Sequence, residues 1–364
     1  MSAGAGIAVL AERIRDAAAS GRTLCIRGGG SKDFYGELAA GDVLDTRGLA
    51  GPAEHEPTEL VVTAPAGMAL ADLESQLGEH GQCLAFEPPH FGAGATVGGM
   101  VAAGLSGPSR AAAGSVRDHV LGVVLMNGSG ELMRFGGRVI KNVAGYDVSR
   151  VVAGSLGILG VVVEVSLKVL PKAAAEATLR FDLKPADALA RLHAWGGRPL
   201  PLDASAWWNG NLVVRLRGSP AAVDEGAAAL GGDAIDAALA EPFWRGLRDH
   251  DDQFFLAAHD AIDHQDAALW RLSLPATAPL LGLAGDELIE WHGAQRWLAT
   301  SLPAEAVRSA AASVGGHATL FRTRDKSAGV FTPLTAPLRA IHERMKQAFD
   351  PKGIFNPGRL YRGL

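Results

Sequence analysis

The chain has 364 residues, of which 48% are hydrophobic and 20% are charged, and its formal net charge is -5. A chain of this length suits about two to three packed domains. The acidic balance, without any run of lysine and arginine, argues against a nucleic-acid-binding protein. The two cysteines, Cys25 and Cys83, are too few for an iron–sulfur cluster, which takes about four thiolates.

Residues 1–172 are rich in glycine and alternate short predicted strands with predicted helices. Apolar spacing predicts helices over 7–18 and 70–80. Strands are predicted over 23–27, 43–45, 60–64 and 161–170, and a hairpin joins 120–126 to 131–135 through Asn127-Gly128-Ser129-Gly130. The alternation of apolar and polar residues in 161–170 is typical of a half-buried strand.

Residues 173–320 lack glycine clusters and contain all seven tryptophans. Strands are predicted over 178–183, 204–208, 212–216 and 269–274, and helices over 185–194, 220–230 and 242–250. This order predicts an α+β cap domain with an antiparallel sheet of the ferredoxin-like or a related type. The tail then forms an amphipathic helix over 338–349.

Two glycine-rich segments are candidate binding loops. Gly28-Gly29-Gly30-Ser31-Lys32 follows the strand over 23–27, and we expect its glycines to adopt positive φ and to form a nest for an anion such as a diphosphate. The second segment, 88–114, should contain a short helix over 97–103, whose first N–H groups are expected to be free to bind phosphate. A surface turn and tight helix–strand packing are the alternatives.

Two common nucleotide motifs and one hydrolase motif do not match. The chain has no Walker loop, and Gly92-Ala93-Gly94-Ala95-Thr96-Val97 has Val97 where a dinucleotide fingerprint needs its third glycine. Gly154-Ser155-Leu156-Gly157 lacks the first glycine of a nucleophile elbow, because that position is Ala153. A Rossmann domain and a serine hydrolase are therefore disfavoured.

These motifs together resemble those of a known family, the FAD-binding subunits of bacterial glycolate oxidases. Those subunits belong to the vanillyl-alcohol-oxidase, or PCMH-type, flavoprotein superfamily. The resemblance rests on 27–32, 95–100, 136–147, 154–160 and 349–358, and the run from Arg138 to Asp147 is its most specific part. It implies a PCMH-type FAD-binding domain made of two α/β subdomains over 1–172, a cap domain over 173–320, and a C-terminal segment, 321–364, that returns to the FAD domain.

The resemblance also implies cofactor-binding residues. The loop of Gly28, Gly29, Gly30, Ser31 and Lys32 would surround the FAD diphosphate. The other expected contacts are Pro89, Gly94, Thr96, Val97, Gly98 and Gly99 along the flavin, Arg110, Gly114, Ser115 and Asp118 nearby, Gly157 and Val161 toward the adenine and ribose, and Asn356 beside the isoalloxazine ring.

The sequence departs from some relatives at positions that bear on FAD attachment and on metal binding. Some relatives attach FAD to a histidine after the glycine-rich loop, and this chain has Ser31 there, so we expect non-covalent FAD. The histidine-rich metal motif of related dehydrogenases is missing. Because His259 and His264 are five residues apart, they do not share a helical face, so no metal site is predicted.

Oxidation of a 2-hydroxy acid needs a cation for the carboxylate and a base for the hydroxyl proton, besides a flavin. Arg110, Arg322, Arg324 and Lys326 are candidate carboxylate clamps, although exposed or partner-facing charges are the commoner explanation. His90 and His119 are weak candidates for the base. No catalytic residue is assigned.

The function expected from the resemblance is that of a subunit in a complex that oxidises glycolate to glyoxylate. A second flavin subunit and an iron–sulfur subunit would be its partners. Charges in the first helix argue against a signal peptide, and no apolar run reaches about 18 residues, so we expect a cytoplasmic protein that contacts the membrane only through partners. The alternatives are a self-sufficient FAD-dependent oxidoreductase of 2-hydroxy acids or alcohols, and a scaffold without flavin.

Overall fold

The computed structural model describes residues 3–138 and 147–364. Most of the motif over 136–147 therefore lies outside the described residues. The chain divides into two compact units. The first unit contains Met1–Leu105, Ser115–Pro171 and Pro333–Leu364, and the second contains Ser106–Gly114 and Lys172–Thr332. The short segment Ser106–Gly114 thus belongs with the cap, whereas the domain boundaries expected from the sequence place it in 1–172.

Helices and strands are interspersed along the whole described chain. The helices are α1 Ala3–Ser20, α2 Leu70–Glu79, α3 Val97–Ala103, α4 Arg110–Ala113, α5 Val116–His119, α6 Pro185–Gly196, α7 Pro220–Leu230, α8 Ala237–Asp249, α9 Gln253–His264, α10 Ala304–Ser313 and α11 Ala336–Phe349. The strands are β1 Leu24–Arg27, β2 Asp42–Asp45, β3 Glu54–Glu56, β4 Val61–Pro65, β5 Gln82–Cys83, β6 Val120–Met126, β7 Leu132–Gly136, β8 Val161–Lys168, β9 Leu170–Pro171, β10 Ala175–Asp182, β11 Leu202–Trp208, β12 Asn211–Gly218, β13 Asp233–Ile235, β14 Ala268–Ser273, β15 Asp286–Glu290, β16 Gln295–Thr300 and β17 His317–Arg322.

The centre of the first unit is an antiparallel sheet of order β3-β4-β8-β6-β7. Its hairpin pairs Met126 with Leu132, which confirms the hairpin expected from Asn127 to Gly130. The strand β8 is less exposed than its alternation indicated, because Val162 and Ser166 on its second face are also buried. Apolar clusters cover the sheet, one with α1 and one with α2 and α3. A strand covered in this way buries apolar side chains on both faces.

A separate parallel pair, β1 and β2, carries the first glycine-rich loop at its end. The C-terminal tail extends this pair: the Leu24 amide donates to the Ile354 carbonyl at 2.7 Å, and the Asn356 amide donates to the Leu24 carbonyl at 2.8 Å. These bonds place the residues after Phe355 next to the loop that follows β1.

A buried ion pair fixes the turn in this tail. The Lys346 ammonium donates to the Asp350 carboxylate at 2.7 Å and to the carbonyls of Ile158 and Phe355 at 2.8 and 2.6 Å. The other contacts of the Asp350 carboxylate are the amides of Ile354 and Phe355. Every partner in this network is inside the first unit, so the tail is held by directed bonds as well as by apolar packing.

The second unit contains an antiparallel sheet of order β13-β10-β12-β11-β15-β16-β14-β17. Strands β10 to β13 with α6 and α7 follow the order strand, helix, strand, strand, helix, strand, which confirms the ferredoxin-like prediction. Strands β14 to β17 repeat the same spatial order, and β11 pairs with β15 to join the two halves. The sequence did not predict this duplication.

The start predicted for α8 at Pro242 was wrong, since the helix begins at Ala237. The Asp236 carboxylate accepts a hydrogen bond from the Ala238 amide at 2.8 Å and caps the helix there. A capping carboxylate compensates the orphan N–H groups of a first turn. Pro242 therefore lies inside the helix, where a proline usually signals a start or a break.

Candidate functional site

The first unit contains a cleft of about 760 Å³ that is open to solvent. Its lining comes from the end of β1, from both glycine-rich segments, from Thr46 directly after β2, from β8 and the turn before it, and from the tail. The lining residues are Ile26, Arg27, Gly28, Gly29, Gly30, Ser31, Lys32, Asp33, Thr46, Thr96, Gly98, Gly99, Ala102, Ala103, Leu156, Gly157, Gly160, Val162, Asn356 and Arg359.

The glycines of the first loop are needed for two different reasons. Of the three glycines, only Gly30 is in the left-handed region, with φ +79°, so the expected positive φ is found there and not at Gly28 or Gly29. Gly29 instead packs against Gly94, where an added Cβ would lie 2.9 Å from the Gly94 Cα and closer still to its carbonyl oxygen. A Cβ at Gly28 would meet the Thr96 side chain. Gly29 thus lets the two loops touch through their backbones, and Gly28 leaves room for the Thr96 side chain.

The backbone of this loop offers unused donors to the cleft. Among the described residues, no hydrogen bond is donated by the amides of Gly28, Gly29, Gly30 or Ser31. Backbone N–H groups without a protein partner can bond to water or to a bound anion, and successive ones can form an anion-binding nest. These residues are only half-buried, and an anion or water can reach them.

The first amides of α3 are not free, contrary to what we expected from the sequence. Val97 donates to the Met68 carbonyl at 3.0 Å, Gly98 donates to the Ala66 carbonyl at 2.8 Å, and Gly99 donates to the Thr96 hydroxyl at 3.2 Å. The start of this helix is therefore not an anion site. Its Gly98 and Gly99 form a wall of the cleft, and Gly98 also packs closely on Ala66.

Asn356 lies in the cleft wall, and both ends of its side chain bond to backbone. Its carbonyl oxygen accepts from the Ile26 amide at 2.6 Å, and its amide donates to the Leu156 carbonyl at 2.6 Å. Gly157 lies beside it with φ +76°, and a Cβ there would be 2.7 Å from the Asn356 Nδ2 atom. Asn356 thus ties β1 to the turn around Leu156, and the contact beside a flavin ring that the resemblance implied stays a prediction.

Arg359 is a cleft residue that the sequence reasoning missed. Its side chain is 8% exposed, and its guanidinium donates to the carbonyls of Glu37 and, at 2.9 Å, Asp33. Burial lowers the pKa of this guanidinium below its ordinary value. An arginine directly after the Asn356-Pro357-Gly358 turn was visible in the sequence, but nothing local indicated that the turn returns to the loop after β1.

The structure brings together about half of the residues that the resemblance implied. Those lining the cleft are Gly28, Gly29, Gly30, Ser31, Lys32, Thr96, Gly98, Gly99, Gly157 and Asn356. Pro89, Gly94, Val97, Ser115, Asp118 and Val161 belong to the same unit but do not line it, and Arg110 and Gly114 belong to the second unit.

Several of the residues outside the lining have clear structural contacts. The Val97 and Val161 side chains are fully buried in the apolar clusters. The amide and the hydroxyl of Ser115 both donate to the Asp118 carboxylate, at 2.9 and 2.8 Å, and form a capping box on α5. In the second unit the Arg110 guanidinium lies 4.5 Å from the centre of the Trp291 ring. Their binding roles stay predictions.

The candidate clamps and bases for substrate are outside the cleft. His119 is completely buried, and one ring nitrogen is 3.1 Å from the Lys168 carbonyl oxygen. The His90 ring bonds to the Glu74 carboxylate at 2.9 Å. In the second unit Arg324 forms an exposed ion pair with Asp263 at 3.3 Å. The cleft therefore contains groups that can bind an anion, and neither candidate base is in its lining.

The described part of the chain contains neither a cluster of metal ligands nor a membrane-spanning helix. In residues 3–138 and 147–364, no three histidine, cysteine, aspartate or glutamate side chains come together in a way that could hold a metal ion. In the same ranges, every helix is too short or too polar to cross a membrane.

Comparison with known proteins adds a sequence match and a fold match. Residues 6–136 match the model of a family described as "FAD binding domain". The chain is 42% identical to glycolate oxidase subunit GlcE of Escherichia coli (strain K12), over 98% of this chain and 97% of that protein. It is 34% identical to a D-lactate dehydrogenase of Archaeoglobus fulgidus, over only 40% of this chain and 33% of that enzyme. A solved structure of alkyldihydroxyacetonephosphate synthase superposes with a TM-score of 0.65 at 14% identity, covering 96% of this chain and 75% of the other.

The fold and the matched domain define the class: this is an α+β flavoprotein with a PCMH-type FAD-binding domain. The near full-length identity then defines the family within that class. The chain belongs to the family of the glycolate oxidase subunit GlcE, a family of FAD-linked oxidoreductase subunits.

Proposed function

We propose that this chain is the FAD-binding subunit of a glycolate oxidase complex and that it holds FAD non-covalently in the cleft around Gly28–Lys32. The observation that carries the proposal is the row of amides from Gly28 to Ser31 that donate no bond within the described residues. A diphosphate oxygen is an acceptor of the kind that such a nest binds. The identity to GlcE over 98% of the chain supports the choice of complex.

The residues present fit a dinucleotide. Gly29 and Gly94 have no side chains, so their loops pack together closely. A ligand can therefore approach the backbone amides of the first loop without meeting a side chain at these positions. Ser31 has no ring nitrogen, so it cannot form the histidyl–flavin bond of some relatives. When bound, FAD supplies a hydride acceptor that can pass electrons on singly.

We propose that the chain's own residues bind and orient the cofactor, while partner subunits complete the chemistry. The candidate bases His90 and His119 bond to Glu74 and to the Lys168 carbonyl instead of facing the cleft. The chain has two cysteines, so an iron–sulfur cluster must come from another subunit. The partners would be a second flavin subunit and an iron–sulfur subunit, and contact with a membrane would be through them.

The division of labour can be tested by anaerobic addition of glycolate to the purified chain, followed by absorbance spectroscopy. We expect a yellow chain whose flavin stays oxidised alone and becomes reduced after the partner subunits are added. Reduction of the isolated chain by glycolate or lactate would favour a self-sufficient oxidoreductase. A colourless chain that still assembles with its partners would favour a scaffold.

The mode of attachment has its own test. Acid precipitation of the yellow protein should leave all the flavin in the supernatant, because no covalent bond retains it. Colour in the washed precipitate would contradict non-covalent binding without affecting the assignment of the complex.

A further inference from the structure

Arg359 is a buried cation at the wall of the cleft whose hydrogen-bond partners are backbone groups. One terminal nitrogen donates to the Glu37 carbonyl, and the other donates to the carbonyls of Asp33 at 2.9 Å and Lys32 at 3.5 Å. The Arg359 carbonyl in turn accepts from the Glu37 amide at 3.0 Å. Arg359 therefore connects the tail to the loop after β1 twice, through its guanidinium and through its backbone carbonyl.

Asp33 and Glu37, whose backbone carbonyls Arg359 contacts, have side-chain carboxylates that are paired with other arginines. Asp33 forms an ion pair with Arg27 at 2.6 Å, and Glu37 is 3.5 Å from Arg362. Among the described residues, no carboxylate lies within ion-pair distance of Arg359 itself. A buried charge without a counter-ion is unfavourable, so such charges are normally paired.

The hydrogen bonds of Arg359 also leave donor capacity unused. A guanidinium has five N–H groups, and the contacts above use only its two terminal nitrogens. The residue lines the same cleft as the unpaired amides of Gly28 to Ser31. The cation and the amides therefore belong to the lining of one cleft, where a single anionic ligand would meet both.

We infer that Arg359 binds the diphosphate of the dinucleotide and, through the carbonyls of Lys32, Asp33 and Glu37, positions the loop that carries the unpaired amides. This rests on the proposed function, because the diphosphate is that of FAD. Arg359 would thereby link the C-terminal tail to the first glycine-rich loop. A purely structural clamp, with no contact to ligand, is the competing explanation.

The experiment compares ADP with adenosine on the flavin-free chain, by calorimetry, for the unmodified protein and for Arg359→Gln and Arg359→Lys. Charged hydrogen bonds of this kind change affinity by about 10- to 100-fold. We expect Arg359→Gln to weaken ADP by that factor and to leave adenosine within about twofold. Arg359→Lys should bind ADP more tightly than Arg359→Gln and less tightly than the unmodified chain, because lysine keeps the charge but lacks the planar, bidentate hydrogen-bonding geometry of the guanidinium.

Arg362→Gln is the matched control, since Arg362 is 60% exposed in the same tail and Glu37 is its ion-pair partner. It should leave the affinities for ADP and adenosine unchanged. Equal losses of ADP and adenosine affinity in Arg359→Gln, or no loss of either, would overturn the inference. If Arg359→Gln does not fold, the Lys variant decides: ADP affinity reduced relative to adenosine supports direct contact, and an unchanged ratio refutes it. An unmodified chain that binds neither FAD nor ADP would refute the proposed function first.

Discussion

Replacing Gly29 with alanine should damage ligand binding while leaving the fold largely intact. The φ of Gly29 is not in the left-handed region, so alanine can adopt its backbone conformation. The new Cβ would, however, lie 2.9 Å from the Gly94 Cα and closer still to its carbonyl oxygen, whereas ordinary contacts begin at 3.4 Å. The two loops must therefore separate.

The cost of this separation follows from the overlap. Forcing an extra carbon into a well-packed contact costs about 1–3 kcal/mol. In the free chain the loops can move apart and relieve much of this strain, because Gly94 is exposed. A ligand that needs both loops restores the clash, so we expect the cost to appear in the dissociation constant for FAD, as a loss of about 5- to 150-fold.

The assay is the quenching of flavin fluorescence when FAD is added to flavin-free protein. Gly48→Ala is the matched control, because Gly48 is in the same unit, has no positive φ and would have no atom within 4 Å of its Cβ. The control should bind FAD as the unmodified chain does. If Gly29→Ala binds FAD with unchanged affinity and a normal unfolding temperature, the contact between the two loops is not part of the site.

Three further substitutions test other contacts of the tail, the cap and the cleft. Asp350→Asn breaks the buried pair with Lys346 and should lower the free energy of unfolding in urea by about 3–5 kcal/mol. The control is Glu343→Gln, which removes an exposed ion pair on the same helix and should lower the free energy of unfolding by no more than about 0.5 kcal/mol. Similar losses in the two variants would contradict the stabilising role of the buried network. Burial raises the pKa of Asp252 from 3.8 to about 6, so the folded state holds its proton between those values and stability should fall by roughly 2–3 kcal/mol as the pH rises from 4 to 6. In Asp252→Asn that part of the pH dependence of the unfolding midpoint should disappear, and an unaltered profile would show that another group causes it. Gly157→Ala places a side chain at φ +76° against Asn356 and should lower both thermal stability and FAD affinity; retention of both would remove Asn356 from the site.

The elements that local pattern determines were predicted well. The helix α3 has the predicted bounds, from Val97 to Ala103, because Thr96 caps it and Gly104 ends it with φ +64°. The hairpin of β6 and β7 followed from its turn residues. In these cases the signals lie within a few residues of the element that they define.

The features that were missed depend on distant residues. The cleft role of Arg359 depends on a bridge between Leu24 and Phe355, which no local pattern reveals. The unpaired amides of Gly28 to Ser31 and the paired amides of α3 look alike in sequence, and only the carbonyls of Ala66 and Met68 distinguish them. Glycine in a sequence indicates freedom of the backbone, but whether that freedom serves a turn or a close contact is decided by what packs against it.

The sequence also did not predict the structural repeat of the second unit, in which β14 to β17 have the same strand order as β10 to β13. The two halves share strand order but differ in their helices, because the connection from β14 to β15 contains no described helix, whereas α6 joins β10 to β11. Antiparallel pairing of β11 with β15 joins them into one sheet. Topology is preserved here without a sequence signal that pattern reasoning can detect.

The most direct test of the proposed function is the stoichiometry of FAD on the purified chain, measured by absorbance after reconstitution and desalting. We expect one FAD per chain, released completely by acid and displaced by excess ADP. A correctly folded chain that takes up no FAD at any concentration would show that the cleft around Gly28–Lys32 is not a dinucleotide site.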